Sequence, residues 1–320
     1  MILSCLFVRA TVAGEKPQVE SKAVLTVVVT NSTANGTAVT DDIVTVQIYD
    51  HVKLLHSLEG KVDADGRVLF ENVPTGDKII ALARAKHNDM MFSAPPVALK
   101  PAADKHLASL QVFDVSYDKS KLSVQTHHLI IKTTPNALHF TEFFQLVNSS
   151  DMAVSSKQTD AEGRTIVLEI MLPKGFDNLE ASSYFQEDAV VVTDTGFYDT
   201  MAVPPGEYQV TFTYTLDITS NSLDIVKGIT LPTTNFVVFT ELGQAKLQGL
   251  GRPSNRMLGK DSVPIEYYTR DKLAQGDKIA FQITGFNVNS SSGKTTWVVL
   301  ALVFGAVLVL VVLMPHLQKN

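Results

Sequence analysis

The sequence has little cysteine and no excess of basic residues over acidic ones. Its 320 residues include one cysteine, Cys5, which excludes an internal disulfide and a cysteine-based metal site. A lipid anchor on Cys5 is disfavoured, because only four residues precede it. The formal net charge is −6 and the pI is about 5.7. The basic stripe that grips a phosphate backbone is therefore missing, and nucleic acid is not an expected partner.

Common catalytic and nucleotide-binding signatures are missing as well. The chain has no G-x-S-x-G nucleophile elbow, no P-loop and no G-x-G-x-x-G turn. These absences remove the most recognisable hydrolase and nucleotide-dependent classes. We predict that the protein is not an enzyme and that it uses no cofactor.

Short β-rich runs fill the chain between residues 20 and 289. In residues 207–218 every second residue is apolar, which is typical of a half-buried antiparallel strand. Gly, Pro and Asn separate the runs, and no convincing amphipathic helix is present, so the sequence predicts an all-β protein made of sandwiches. The predicted strands cover 23–30, 42–50, 78–85, 107–115, 121–132, 165–172, 207–218, 235–242 and 278–284.

One motif occurs twice, as "VDADGRVLFENVPTG" at 62–76 and as "DAEGRTIVLEIMLPKG" at 160–175. The paired acids suggest a calcium loop, which needs oxygen ligands at alternate positions and a Glu at the twelfth. Counted from Asp63, the fifth position is Arg67 and the twelfth is Pro74, so the match fails. Asp-Gly and Glu-Gly before a strand instead predict tight turns, because glycine accepts positive φ.

The prolines and polar residues of "APPVALKPAADKH", at 94–106, interrupt the strands and predict a domain boundary. We place the first domain at 20–104 and a second, larger β-sandwich region at 107–289. The second region is long for one sandwich, which leaves room for a further division near 219–232.

Residues 23–100 resemble the carboxypeptidase regulatory-like domain, a transthyretin-like (prealbumin-like) β-sandwich. The resemblance rests on "VVVTNSTANGTAV", "VTVQIYD" and "DADGRVLFENVPTGDKIIALARA", and it covers about a quarter of the chain. The sequence departs from the family pattern at Asp77-Lys78, where an aromatic residue is common. The resemblance implies a non-catalytic and often surface-exposed module that serves as a binding or spacer unit.

The run "WVVLALVFGAVLVLVVLM", at 297–314, is apolar over 18 residues and predicts a transmembrane helix. Trp297 stands at one end, where an interfacial aromatic belongs, and Met314 closes the other. A Ser-rich linker at 290–296 precedes the predicted helix. Residues 315–320 form a short tail, which we expect in the cytoplasm.

The first 13 residues resemble a truncated secretory signal, with a short apolar run and small residues before Gly14. They lack a positive start, and Arg9 interrupts the apolar part. Two interpretations stay open: either the true start lies upstream, or the segment is part of a first strand. A signal would place the bulk of the chain outside the cytoplasm, in the periplasm or at the cell surface.

Histidines supply the metal-site candidates. His56 and Glu59 have the His-x-x-Glu spacing of zinc carboxypeptidases, but a catalytic zinc needs a third ligand and an open position. His127 and His128 are adjacent in a predicted strand, so they point to opposite faces. Even with His139 nearby, we expect one exposed and one buried histidine and no metal site.

The segment "TGFYDTMAVPPG", at 195–206, combines aromatics, acids and prolines. It predicts a loop in which Phe197, Tyr198 and Asp199 could contact a partner. The alternative is a loop that packs its own aromatic side chains.

Together these features predict a membrane-anchored binding or scaffold protein of the cell envelope. The expected partner is an envelope protein or a glycan. One alternative is an accessory subunit of a membrane complex, for instance a respiratory or cytochrome-associated one. The other is a zinc-dependent hydrolase that uses His56 and Glu59.

Overall fold

The computed structural model describes residues 22–258 and 263–285. The predicted signal at 1–13, the linker at 290–296, the apolar segment with Trp297 and Met314, and the tail at 315–320 lie outside these residues. None of the described residues belongs to a helix that is long and apolar enough to cross a membrane.

The described part of the chain is all-β, as the sequence predicts. It holds 23 strands and two short 3-10 helices, at Lys119–Lys121 and Glu187–Ala189, and no α-helix. All nine predicted strands are present, with ends shifted by a few residues. The chain divides between Val112 and Phe113 into two compact units, called here the first and the second unit.

The first unit contains two sheets, of three and five strands. The three-stranded sheet has the order β4-β1-β8, and the larger sheet has the order β3-β2-β5-β6 with β7 paired to β5. The strands are β1 (Lys22–Asn31), β2 (Ile43–Asp50), β3 (Lys53–Lys61), β4 (Arg67–Pro74), β5 (Ile79–His87), β6 (Met90–Ser93), β7 (Val97–Ala98) and β8 (Lys105–Val112).

The core of the first unit is built from strands in which buried apolar residues alternate with less buried ones. Leu25, Val27 and Val29 of β1 are buried, and the intervening residues are not. Strands β2 and β5 alternate in the same way, so each sheet presents one apolar face to the core. Gly60 lets β3 approach β4, because a Cβ there would lie 2.4 Å from a methyl group of Val68.

The first unit ends at Val112 and not near residue 104. The reason is strand pairing: β8 lies parallel to β1 over eight residue pairs, from Val24 with Lys105 to Asn31 with Val112. The proline-rich stretch at 94–106 is therefore a connection inside the first unit.

The second unit is built around a seven-stranded sheet of order β14-β17-β11-β10-β19-β22-β21. Smaller sheets have the orders β13-β16-β15, β18-β23-β20 and β12-β9. The strands are β9 (Val115–Ser116), β10 (Leu122–Thr133), β11 (Ala137–Asn148), β12 (Ala153–Val154), β13 (Leu168–Met171), β14 (Phe176–Ser183), β15 (Val190–Thr193), β16 (Gly196–Asp199), β17 (Gly206–Asp217), β18 (Ser222–Gly228), β19 (Thr233–Glu241), β20 (Lys246–Gln248), β21 (Ser254–Leu258), β22 (Val263–Leu273) and β23 (Lys278–Thr284).

One hydrophobic core runs through the second unit. It joins Phe140 and Phe212 of the large sheet to Phe197 of β16 and Phe281 of β23. Because the core is continuous from Leu122 to Ile283, this part of the chain forms a single compact unit.

The two repeated motifs form matching turns, which confirms the turn interpretation. Asp63 Oδ1 accepts backbone N–H groups from Asp65 and Arg67 at 2.9 and 2.8 Å. Asp160 Oδ1 does the same for Glu162 and Arg164, at 3.0 and 2.8 Å. These carboxylates close their own turns, and the glycine that follows has a positive φ in each.

The two turn glycines differ in their surroundings, which gives a stability prediction. Gly66 has a φ of 74°, and a Cβ there would lie 2.8 Å from the carbonyl oxygen of Val29. Gly163 has a φ of 82° with nothing within 4 Å. We expect Gly163→Ala to cost about 1 kcal/mol through φ alone. Gly66→Ala should cost clearly more, because a backbone carbonyl must also move.

The measurement is urea unfolding followed by NMR resonances assigned to each unit, so that each variant is compared with its own unit in the parent protein. Equal losses for the two variants would show that the contact with Val29 is unimportant.

Candidate functional site

The structure corrects the expected loop at Phe197, Tyr198 and Asp199. These residues form β16, the central strand of a three-stranded sheet, and they are 1, 4 and 2 % exposed. The ring of Phe197 packs edge-on against Phe185 and Phe212. The three side chains belong to the interior of the unit, so we do not assign them a partner surface.

Two of these residues have polar roles inside the fold. The hydroxyl of Tyr198 donates to Asp160 Oδ2, which ties β16 to the repeated turn. Asp199 Oδ1 accepts the backbone N–H of Met201 at 2.9 Å. Burial raises the pKa of the Asp199 carboxyl to about 6, because the charged form is poorly solvated there.

Asp199 should therefore make stability depend on pH. A carboxyl whose pKa is raised on folding binds its proton more tightly in the folded state. Its stabilising effect is complete below the unfolded pKa of about 3.8 and is lost as the pH rises through about 6. We expect Asp199→Asn to be more stable than the parent at pH 8, by on the order of 3 kcal/mol, and to lose that advantage at pH 4.

Urea unfolding at the two pH values measures this difference. Asp194→Asn is the matched control, since it makes the same chemical change at an exposed residue of the adjacent turn. A difference that does not change with pH would show that Asp199 is not the titrating group.

His56 and Glu59 lie on β3, and both are exposed. They pair with Ile48 and Thr45 in a regular register, so their side chains point to opposite faces of the strand. Within residues 22–258 and 263–285, no group of three or more His, Cys, Asp or Glu residues is placed to hold a metal ion.

The expectation that one of His127 and His128 is exposed is wrong, because both are buried, at 7 and 6 % exposure. They do point to opposite faces. His128 lies edge-on to Phe239 with ring centroids 5.1 Å apart, and burial together with His127 lowers its pKa to about 4. His139 lies opposite Lys132 across the strand pair, and the three histidines do not form a group that could hold a metal ion.

His127 belongs to a polar network in the core of the second unit. Glu142, on β11, is completely buried. Its Oε2 lies 2.7 Å from His127 Nε2 and 2.7 Å from Lys227 Nζ. Its Oε1 accepts from Tyr214 at 3.0 Å and from Lys227 at 2.8 Å. Lys227 also donates to the carbonyl oxygen of Met171 at 3.0 Å.

Strand pairing explains how these residues meet. Glu142 and His127 lie on neighbouring strands, where His127 pairs with Phe144. Tyr214 comes from β17 on the other side of β11. Lys227 is supplied by β18 of a different sheet, so the network joins two sheets across the core.

Aromatic rings pack against the network. The ring of His127 lies 5.2 Å from that of Phe144 and 4.9 Å from that of Phe236. Lys227 Nζ lies 5.7 Å above the ring of Phe212, a further favourable site for a cation.

The protonation states follow from these contacts. Burial alone would raise the pKa of Glu142, but Lys227 and the hydrogen bond from His127 outweigh it and lower the pKa to about 2. Burial lowers the pKa of His127 in spite of Glu142. The network therefore holds a carboxylate, an ammonium and a neutral imidazole that donates from Nε2, so its net charge is zero.

A small cleft borders the network. His127, Phe144 and Lys227 line it together with Met171 and the segment 228–231. Its two nitrogen-bearing side chains, His127 and Lys227, are already paired with Glu142. The arrangement favours a structural role for the network, with the cleft as its boundary.

The ion pair gives a stability prediction. Lys227→Met leaves Glu142 buried without a cation, and we expect a loss of about 3–5 kcal/mol. Adding Glu142→Gln removes the second charge and keeps an oxygen for Tyr214, so the double variant should recover most of the loss.

Unfolding in urea and a double-mutant cycle measure this coupling. Lys61→Met is the control, because Lys61 pairs with Asp41 at 2.8 Å on the surface and should cost under about 1 kcal/mol. If the double variant loses as much free energy of unfolding as the two single variants added together, the charges of Glu142 and Lys227 do not compensate each other.

Comparisons with known proteins do not place this chain in a family. No family model matches it, and no curated protein matches it. A solved structure that is similar is the full-length major pilin SpaD from Corynebacterium diphtheriae, at 11 % identity and a TM-score of 0.23, over 82 % of this chain and 81 % of that chain. A similarity at this level carries no argument about function or assembly. The all-β architecture rests on the strand pairing itself.

Proposed function

We propose that this chain is a membrane-anchored binding or scaffold protein of the cell envelope. The observation that carries the proposal is the succession of two all-β units and an 18-residue apolar segment at 297–314. Hydrogen-bonded sheets beside a membrane anchor suit a role in which an exported surface holds a partner near the bilayer. Fold alone does not fix function, so the partner has to be found by experiment.

The first unit supports the surface role. Its motifs resemble a carboxypeptidase regulatory-like domain, and its three-stranded and five-stranded sheets fit a sandwich of the transthyretin-like kind. We therefore propose that it is a transthyretin-like module that acts as a spacer or binding unit.

The interior of the second unit also bears on the proposed binding role. Its central acid, base and ammonium groups are buried and bound to one another. Because these groups are committed to the fold, we infer that the unit meets its partner through its outer surface. The partner that we propose is an envelope protein or a glycan.

Paired pull-downs test this function. We expect a tagged full-length protein and a version that ends at Ser292 to retain the same protein or glycan after gentle solubilisation, since the β units make the contact. Membrane proteins retained by the full-length form alone would support the accessory-subunit alternative. If neither form retains a partner, the binding role is contradicted.

Export is tested separately. Protease added to intact cells or spheroplasts should digest residues 22–285 if they lie outside the cytoplasm. A cytoplasmic marker protein must stay intact in the same sample. Protection of the β units together with that marker would contradict the proposed topology.

A further inference from the structure

The connection between β1 and β2 contains the single Asn-Gly pair of the chain, Asn35-Gly36. The backbone N–H of Gly36 donates to the carbonyl oxygen of Thr33 at 3.0 Å, so the pair closes a tight turn. Asn35 has a φ of 56°, a conformation that asparagine adopts more readily than most residues with a side chain. The geometry of the turn therefore explains why an asparagine precedes this glycine.

The Asn35 side chain is exposed, and no hydrogen bond within the described part of the chain holds it. Asn148 is the opposite case, because it is 2 % exposed and its Nδ2 donates to the carbonyl oxygens of Met152 and Val203 at 2.8 Å each. The Asn35 carboxamide can therefore rotate onto the peptide bond that follows it, whereas the carboxamide of Asn148 is fixed.

The residue after Asn35 leaves room for this rotation. Gly36 has no side chain that could stand between its backbone nitrogen and Asn35 Cγ. The two atoms belong to neighbouring residues, so closing a five-membered ring needs no encounter with another molecule. The hydrogen bond from Gly36 to Thr33 has to open first, and its place in a surface turn keeps the cost of opening low.

We propose that Asn35 is a site of intramolecular deamidation, a chemical modification that lies beyond the binding role proposed above and does not depend on it. The Gly36 nitrogen loses its proton to water and bonds to Asn35 Cγ. The bond between Cγ and Nδ2 breaks, and the amide nitrogen takes up a proton and leaves as ammonia. Water then opens the cyclic imide at one of its two carbonyl carbons, which gives aspartate or isoaspartate at this position.

The modified turn packs against a polar cluster formed by Asn31, Thr37, Asp42 and His87. Nδ1 of the buried His87 lies 2.6 Å from Asp42 Oδ2, and its Nε2 lies 3.1 Å from the hydroxyl oxygen of Thr37. Asn31 Nδ2 donates to the carbonyl oxygen of Thr37 at 2.9 Å. The fit is close, because a Cβ on Gly36 would lie 2.5 Å from Asn31 Nδ2.

The two products differ in what they do to this cluster. Isoaspartate adds a methylene group to the main chain between residues 35 and 36, so Gly36 or Thr37 has to move relative to Asn31. Aspartate leaves the main chain unchanged and adds only an exposed charge. We therefore expect isoaspartate, and not aspartate, to destabilise the first unit.

The test incubates the full-length protein in detergent in warm, mildly alkaline buffer and follows each asparagine peptide by mass spectrometry. We expect Asn35 to convert first and to give both aspartate and isoaspartate. Asn221 is the matched control in the same sample, because it is also exposed but is followed by Ser222, whose side chain should slow ring closure. The buried Asn148 should keep its amide.

Urea unfolding of the incubated protein, followed by NMR resonances assigned to each unit, measures the consequence. The isoaspartyl fraction should unfold its first unit at lower urea than the parent protein, with the second unit unchanged, and Asn35→Asp should match the parent. Conversion of Asn221 before Asn35 would overturn the proposal, as would the formation of aspartate without isoaspartate, which excludes the imide. Isoaspartyl protein that is as stable as the parent would contradict the effect on the cluster.

Discussion

The ion pair between Glu142 and Lys227 is the constraint on which the second unit depends. A carboxylate with no exposed surface is tolerated only if its charge is compensated and its oxygens accept hydrogen bonds. Lys227 supplies the charge from another sheet, and Tyr214 and His127 supply further donors. Sliding β18 by one residue would turn Lys227 to the opposite face of its strand, so the ion pair also specifies how the sheets are matched.

The two units differ in where their polar groups lie. Alternating aliphatic residues on β1, β2 and β5 hold the first unit together, and the contact of His87 with Asp42 lies at the end of β5. In the second unit the polar groups lie between the sheets, packed against aromatic rings. Burial at the centre of a core makes a polar network structural.

Much of the fold could be predicted from local pattern. Strands such as β1 and β17 bury one face, and their alternation is visible in the sequence. Strand β11 was not predicted, because Glu142, Phe143 and Phe144 are buried in succession and break the alternation. Phe197 was assigned to a loop for a related reason: Gly196 and nearby prolines look like turn residues, although the strand between them is central.

The candidate sites were harder to predict, because they depend on contacts that are distant in sequence. Glu142 and Lys227 are 85 residues apart, and His87 and Thr37 are 50 apart. One usable signal was present, since Glu142 and Lys227 are lone charges inside apolar runs, and such charges need partners when they are buried. No such signal marks His87 or Asp42, which lie in polar stretches of the sequence. Only the register of β2 against β5 sets Asp42 beside His87. Both polar clusters therefore depend on strand register, and a change that shifts a register would separate their members without altering any of the residues.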